Sequence, residues 1–138
     1  MKLLPLADLF AQADYVSLHL PRTPDTENLV NAELLRTMKP TARIVNCARG
    51  GIVDEPALVE ALKSGQLAAA GLDVFAEEPV SPDNPLLALD NVIVSPHVTW
   101  LTADTMTRYL TAAIKNAQRV YEGKPPYIVV NQAALAST

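Results

Sequence analysis

The sequence predicts a doubly wound α/β domain, or part of one, built on a parallel sheet. Two observations predict it. Short apolar runs of strand length alternate along the chain with stretches whose apolar residues recur at helical spacing, the pattern of βαβ crossovers. In addition, Arg49, Glu78 and His97 each stand just beyond a strand-like run, on loops of polar or turn-forming residues. Groups at the same ends of neighbouring parallel strands converge on one crevice, which is where open α/β sheets place their chemistry.

The elements follow in order. Leu6, Leu9, Phe10 and Ala13 repeat at helical spacing, and Pro5 is tolerated in a first turn. Tyr15 to Leu20 reads as a short strand stopped by Pro21, and Pro24, Asp25 and Thr26 form a loop. Asn31 caps a short helix through Met38, ended by Lys39 and Pro40. Ala42 to Asn46 is a second strand. Asp54 caps a helix over Glu55 to Lys63, with Pro56 in its first turn and Gly65 at its C-terminal end. Leu67 to Phe75 is a third strand, in which Ala68, Ala69, Ala70 and Gly71 permit close helix–sheet approach. Val92, Ile93 and Val94 form a fourth, apolar enough to be buried on both faces. A long helix follows from about Thr102 to Glu122, with Met106, Tyr109, Leu110, Ala113, Ile114, Ala117, Val120 and Tyr121 along an expected buried stripe, ended by Gly123 and two prolines. Tyr127 to Val130 is read as an edge strand or a packing tail.

Composition narrows the function. A chain of 138 residues is one domain by length and buries a real core. Its formal charge of −4 argues against a nucleic-acid binder, which needs a basic face. No apolar run approaches a membrane span, and acidic Asp8 interrupts the apolar start, against a signal peptide. The single cysteine rules out an internal disulfide and fits a cytoplasmic location.

Arg49 lies in Asn46-Cys47-Ala48-Arg49-Gly50-Gly51, where an arginine offers paired donors to a carboxylate and the glycines let the backbone turn or approach a ligand closely. A surface arginine at a turn is the alternative. Glu78, before Pro79, and His97, after Pro96, make a possible carboxylate–imidazole pair. Such a pair stabilises the imidazolium, fixes the ring's tautomer and moves a proton to or from a carbonyl oxygen. By spacing alone the two carry little signal, and many histidines after proline are simply hydrogen-bonded loop residues. Asp73 interrupts an apolar strand, so a buried charge there needs a partner or a ligand. A cofactor contact is favoured over a helix-facing structural aspartate. Cys47 reads as a small buried thiol rather than a nucleophile. His19 reads as structural. Trp100 lines a pocket or packs on the following helix. There is no metal-ligand cluster, nucleophile elbow or P-loop.

These residues are identifiable together. Val45-Asn46-Cys47-Ala48-Arg49-Gly50-Gly51-Ile52-Val53-Asp54-Glu55, then Gly71-Leu72-Asp73-Val74-Phe75 with Glu78-Pro79, then Ser95-Pro96-His97 resemble the D-isomer-specific 2-hydroxyacid dehydrogenases. Tyr15 to Pro21 with Thr23-Pro24 is similar as well, so the likeness runs from about Leu6 to Asn131. The resemblance implies that Arg49 binds the substrate's carboxylate and carbonyl, that His97 is the acid/base, and that Glu78 orients it. It implies that NAD or NADP is the cofactor, with Asp73 at the nicotinamide carboxamide, Leu20, Pro21, Cys47 and Ala48 lining the cofactor, and His97 beside it. Trp100, with Val98 and Thr99, lies near substrate in the same reading, and the substrate is a small anionic 2-oxo or 2-hydroxy acid. Trp100 also likens the chain to hydroxypyruvate reductases and to the C-terminal-binding-protein corepressors.

The departure from the family is the absence of a Gly-x-Gly-x-x-Gly turn, since the only glycines are Gly50, Gly51, Gly65, Gly71 and Gly123. The fold expected is therefore a partial Rossmann-like sheet lacking the first βαβ unit. Residues 1–131 would form the C-terminal part of an NAD(P)-binding domain and 132–138 a tail, with the substrate domain absent and the isolated chain inactive. Homo-oligomerisation, or association through the exposed sheet, is expected, with neither nucleic acid nor membrane as partner. The alternative function is a non-catalytic fragment or partner-binding module, with a corepressor-like dinucleotide sensor as a third reading.

Overall fold

The computed structural model describes residues 3–127. These divide into two compact units, the first ending at Thr99 and the second beginning at Trp100.

The first unit is a Rossmann-like α/β layer. Strands β1 (Tyr15–Leu18), β2 (Arg43–Asn46), β3 (Ala69–Leu72) and β4 (Val92–Val94) pair in that order, all parallel. Register places Ser17 beside Val45 and Val45 beside Gly71, so the carboxyl ends of the strands finish together. Helix α1 (Leu6–Gln12) leads into β1, α2 (Ala32–Thr37) and α3 (Glu55–Lys63) connect β1 to β2 and β2 to β3, and the three touch each other in sequence. A 3-10 turn, Pro85–Ala88, precedes β4.

The helix signals work through hydrogen bonds. Asn31 Oδ1 accepts from Leu34 N at 3.0 Å, and Asp54 Oδ1 accepts from Ala57 N at 3.1 Å, each satisfying an orphan amide of a first turn. Gly65 closes the far end of α3 with φ +75°. Between sheet and helices lies one core. Phe10, Val16, Leu18, Leu35, Ile44, Leu58, Leu67 and Leu86 are among its buried members. Fully burying each of the larger ones contributes about 1.5–3 kcal/mol before conformational entropy is counted.

Three expectations change. The strands are shorter than expected, β1 ending at Leu18 and β3 spanning only Ala69–Leu72, because ladder pairing stops where the chain turns into the loops that follow. Burial alternates along β1, β2 and β3, so among the described residues one face of the sheet is covered and the other is not. The strand expected to be buried on both faces is the clearest case, since Ile93 is 80% exposed and Val94 is exposed too.

The second unit contains α4 (Ala103–Tyr121), capped by Thr102, whose hydroxyl accepts from Thr105 N at 3.1 Å, and followed by Gly123 at φ +69°. None of its residues is buried. The expected buried stripe is therefore a correction: Tyr109, Leu110, Ile114, Val120 and Tyr121 are all exposed. Periodicity reads which residues share a face, not whether anything covers it. Tyr127 is described, at a bend, while the remainder of the expected edge strand and the tail at 132–138 lie outside the described residues.

Candidate active site

The loops leaving the carboxyl ends of β2, β3 and β4 carry the candidate residues. After β2 the chain makes a tight turn held by Asn46, a buried residue at the strand's last position. Its Oδ1 accepts from Ala48 N at 3.1 Å, and its Nδ2 donates to Arg49 O at 2.9 Å. An asparagine side chain is suited to this because it mimics the backbone of a turn. The turn presents Arg49 with an exposed side chain, whose Nη1 donates to Ala48 O at 2.6 Å. Beside it, His19, Leu20, Pro21, Cys47, Ala48 and Arg49 line an open groove of about 330 Å³. The four residues expected to line the cofactor thus share one groove with the expected anion-binding arginine. Cys47 is exposed, which corrects the buried thiol, because it falls on the turn and not within the strand. His19 receives or gives a hydrogen bond at Ser17 Oγ, 2.8 Å away.

After β3, Glu78 folds back over its own loop. Its Oε1 accepts from Phe75 N at 3.0 Å. Its Oε2 accepts from His97 Nδ1 at 2.8 Å. The bond from His97, then that from Phe75, outweigh burial and hold the Glu78 carboxyl below its ordinary value. A carboxylate only accepts, so the proton of this bond sits on Nδ1. Both side chains are roughly 40% exposed, at 40% for His97 and 38% for Glu78, so the pair stands at the surface of the unit. Behind it lies a mainly apolar cavity of about 570 Å³ whose lining includes Phe75, Val80, Leu87 and Val94.

The structure brings Glu78 and His97 into contact. Arg49 stands on the adjacent loop at the same sheet edge, in the neighbouring groove. The two loops are fastened to each other, since Asp73 N donates to Asn46 O at 3.0 Å. Gly50 also runs so close to Phe75 that a Cβ there would lie 1.7 Å from the Phe75 carbonyl oxygen. Glu55, the first residue of α3, adds a further tie: its Oε1 accepts from Ala76 N at 2.5 Å and its Oε2 from Asn84 Nδ2 at 3.2 Å.

Asp73 is 2% exposed. Its Oδ1 accepts from Ser95 Oγ at 2.6 Å and Val98 N at 2.9 Å, and its Oδ2 from Thr99 Oγ1 at 2.7 Å and Thr99 N at 3.1 Å. Burial pushes this carboxyl up, and the hydrogen bonds from Ser95, Thr99 and Val98 together bring it down to about 2. Trp100 is half-exposed and opens the second unit. Among the described residues no cluster of His, Cys, Asp and Glu fits a metal ion, and no helix is long and apolar enough to cross a membrane.

The sequence did not point to Asn46, Glu55 or Ser95 as site-building residues, and it placed Thr99 near substrate without reading its bonds to Asp73. An asparagine at a strand end beside glycines was a usable signal for a side-chain-held turn. The partners of Glu55 and Asp73 lie 21 to 29 residues away, beyond any local pattern.

Comparison with known proteins agrees with this fold. The profile of the D-isomer specific 2-hydroxyacid dehydrogenase NAD binding domain matches residues 1–99. A D-3-phosphoglycerate dehydrogenase of Synechocystis is 46% identical over 123 residues, 89% of this chain and 22% of that protein. A glyoxylate reductase of Korarchaeum cryptofilum is 44% identical over 128 residues, 93% of this chain and 39% of that protein. A solved protein of Thermus thermophilus superposes with a TM-score of 0.85 at 46% identity, covering 92% of this chain and 40% of that one. The chain thus spans two-fifths or less of the length of each of these three relatives. The chain belongs to the D-isomer-specific 2-hydroxyacid dehydrogenase family, through its NAD-binding domain.

Proposed function

We propose that this chain carries the proton-transfer and anion-binding residues of an NAD(P)-dependent dehydrogenase interconverting a 2-oxo acid and a D-2-hydroxy acid. The observation that carries the reading is the 2.8 Å bond between His97 Nδ1 and Glu78 Oε2 at the carboxyl edge of the sheet. With Nδ1 committed to Glu78, Nε2 is the ring nitrogen that gains and loses a proton at the substrate oxygen. Glu78 fixes the tautomer and orientation of the ring. Arg49 offers paired donors to the carboxylate of a small anionic acid.

The groove of Leu20, Pro21, Cys47 and Ala48 fits a flat, partly apolar ring at the carboxyl ends of β1 and β2. NAD or NADP held there would supply or accept the hydride. Asp73 and His97 border the same edge from the β3 and β4 side, and Trp100 is assigned to the substrate's surroundings. Residues 1–131 are read as part of the NAD(P)-binding domain, with a cytoplasmic site of action. Exposed apolar residues on β4 (Ile93, Val94) and on α4 (Leu110, Ile114) support association with further polypeptide, a second copy included. They also favour the second reading, a non-catalytic partner-binding module.

A chimera separates the two. Residues 6–127 replace the equivalent segment of a glyoxylate reductase relative, and NAD(P)H oxidation by glyoxylate is followed. The dehydrogenase reading predicts turnover, a loss of about 10²–10⁴-fold in kcat for His97→Ala, and a roughly 10- to 100-fold loss in kcat/KM for Arg49→Ala. A folded chimera without turnover, or one indifferent to both substitutions, contradicts it.

A further inference from the structure

We infer that Asp73 is a positioning residue for the His97–Glu78 pair: by gathering Ser95, Val98 and Thr99 onto one carboxylate, it holds the intervening Pro96-His97 arch in the backbone conformation that aims His97 at Glu78. Its catalytic meaning rests on the acid–base reading above, while its test reads geometry and stands or falls separately.

Three observations combine. His97 has φ +55°, in the left-handed region that a non-glycine residue adopts only when its surroundings impose it. His97 is one of two such non-glycine residues among those described, so something at this loop must hold it. The constraint is visible on both sides of the residue. Upstream, Ser95 N donates to Leu72 O at 2.9 Å, continuing the β3–β4 ladder, and its hydroxyl reaches Asp73 at 2.6 Å. Downstream, Val98 N and Thr99 N donate to the two Asp73 oxygens at 2.9 and 3.1 Å. Asp73 is itself anchored, its amide donating to Asn46 O at 3.0 Å, so the splint is fixed to β2.

The carboxylate is well matched to the task. Two oxygens offer about four acceptor positions, and four protein donors occupy them. An amide in its place presents one oxygen and one NH₂, and the NH₂ would face a donor. Asp73→Asn therefore breaks one side of the arch while keeping the shape of the side chain.

Electrostatics supplies a test by sign. The bond from His97 is the main influence lowering the Glu78 carboxyl, whereas the negative charge of Asp73 pushes it up. If Asp73 acted only as a nearby charge, Asp73→Asn would move the Glu78 titration further down. If Asp73 holds His97 in place, the same substitution loses the His97 bond, and the Glu78 titration moves up.

The experiment is a carboxyl-¹³C and imidazole-¹⁵N NMR titration of the full 138-residue chain and its variants. In Asp73→Asn we expect Glu78 to titrate higher, the Nδ1 hydrogen-bond signature to weaken, and the coupling constant of His97 to leave the positive-φ range, with β1–β3 resonances in place. Ser95→Ala with Thr99→Ala keeps the carboxylate and removes only two hydroxyl donors. It should shift Glu78 in the same direction by less, and Ser95→Thr with Thr99→Ser should restore it. This second set decides the matter if Asp73→Asn does not fold. A downward movement of Glu78 in Asp73→Asn, or an unchanged His97 φ and Glu78 titration in the folded hydroxyl variants, overturns the inference.

Discussion

At the scale of the residue, the site is a set of polar groups each answered by a particular donor or acceptor. Among the described residues no buried side-chain nitrogen or oxygen lacks a hydrogen bond. Asp73 shows what this does to stability. Its folded-state value of about 2 lies below the ordinary 3.8, so its contribution is fully present above pH 3.8 and is lost as pH falls toward 2. The depression corresponds to about 2 kcal/mol at 1.36 kcal/mol per unit. Urea unfolding of wild type and Asp73→Asn at a series of pH values should show a stability gap at neutral pH that narrows between about pH 4 and 2. A gap that does not change with pH contradicts the assignment. Glu78 moves in the same direction, but at the surface its stabilisation is screened. Much of this was visible in sequence: Arg49, Glu78 and His97 stand where polar residues interrupt apolar runs, and Asp73 declared itself as a charge within one. Which donors answer Asp73 was not visible, because Ser95, Val98 and Thr99 come to it through the fold and not through spacing.

At the scale of the element, caps were legible because their chemistry is local. Asn31 and Asp54 accept from the amides three residues on, and removing either carboxamide or carboxylate should cost about 1 kcal/mol of stability. Strand ends were less legible, since an apolar residue beyond the last ladder bond looks the same as one within it. Glycines divide sharply. A Cβ at Gly50 meets Phe75 O at 1.7 Å and Phe75 C at 2.1 Å, whereas at Gly71 it meets only Val45 methyls at 3.7 and 3.8 Å. Gly50→Ala must push apart the loops after β2 and β3 and displace the Phe75 amide that holds Glu78. It should destabilise by about 1–3 kcal/mol or more, with Gly71→Ala near neutral. Denaturant midpoints of the two variants check this, and equal midpoints contradict the close approach.

At the scale of the whole molecule, the alternation of strand and helix was enough to read a parallel α/β sheet, whereas its strand order and its covered face come from the pairing and from the alternating burial along β1 to β3. What covers the apolar residues of β4 and α4 was not legible, because a periodic stripe states a preference for burial without naming the surface that satisfies it. The first unit nonetheless assembles the Glu78–His97 pair from its own loops, and that is the central claim. It is tested most directly by the ¹⁵N shifts of the neutral His97 ring in the 138-residue chain. The account predicts a proton on Nδ1, with the Nδ1 signal moving when Glu78 is replaced by Ala. A neutral ring protonated on Nε2, unaffected by Glu78→Ala, would contradict it.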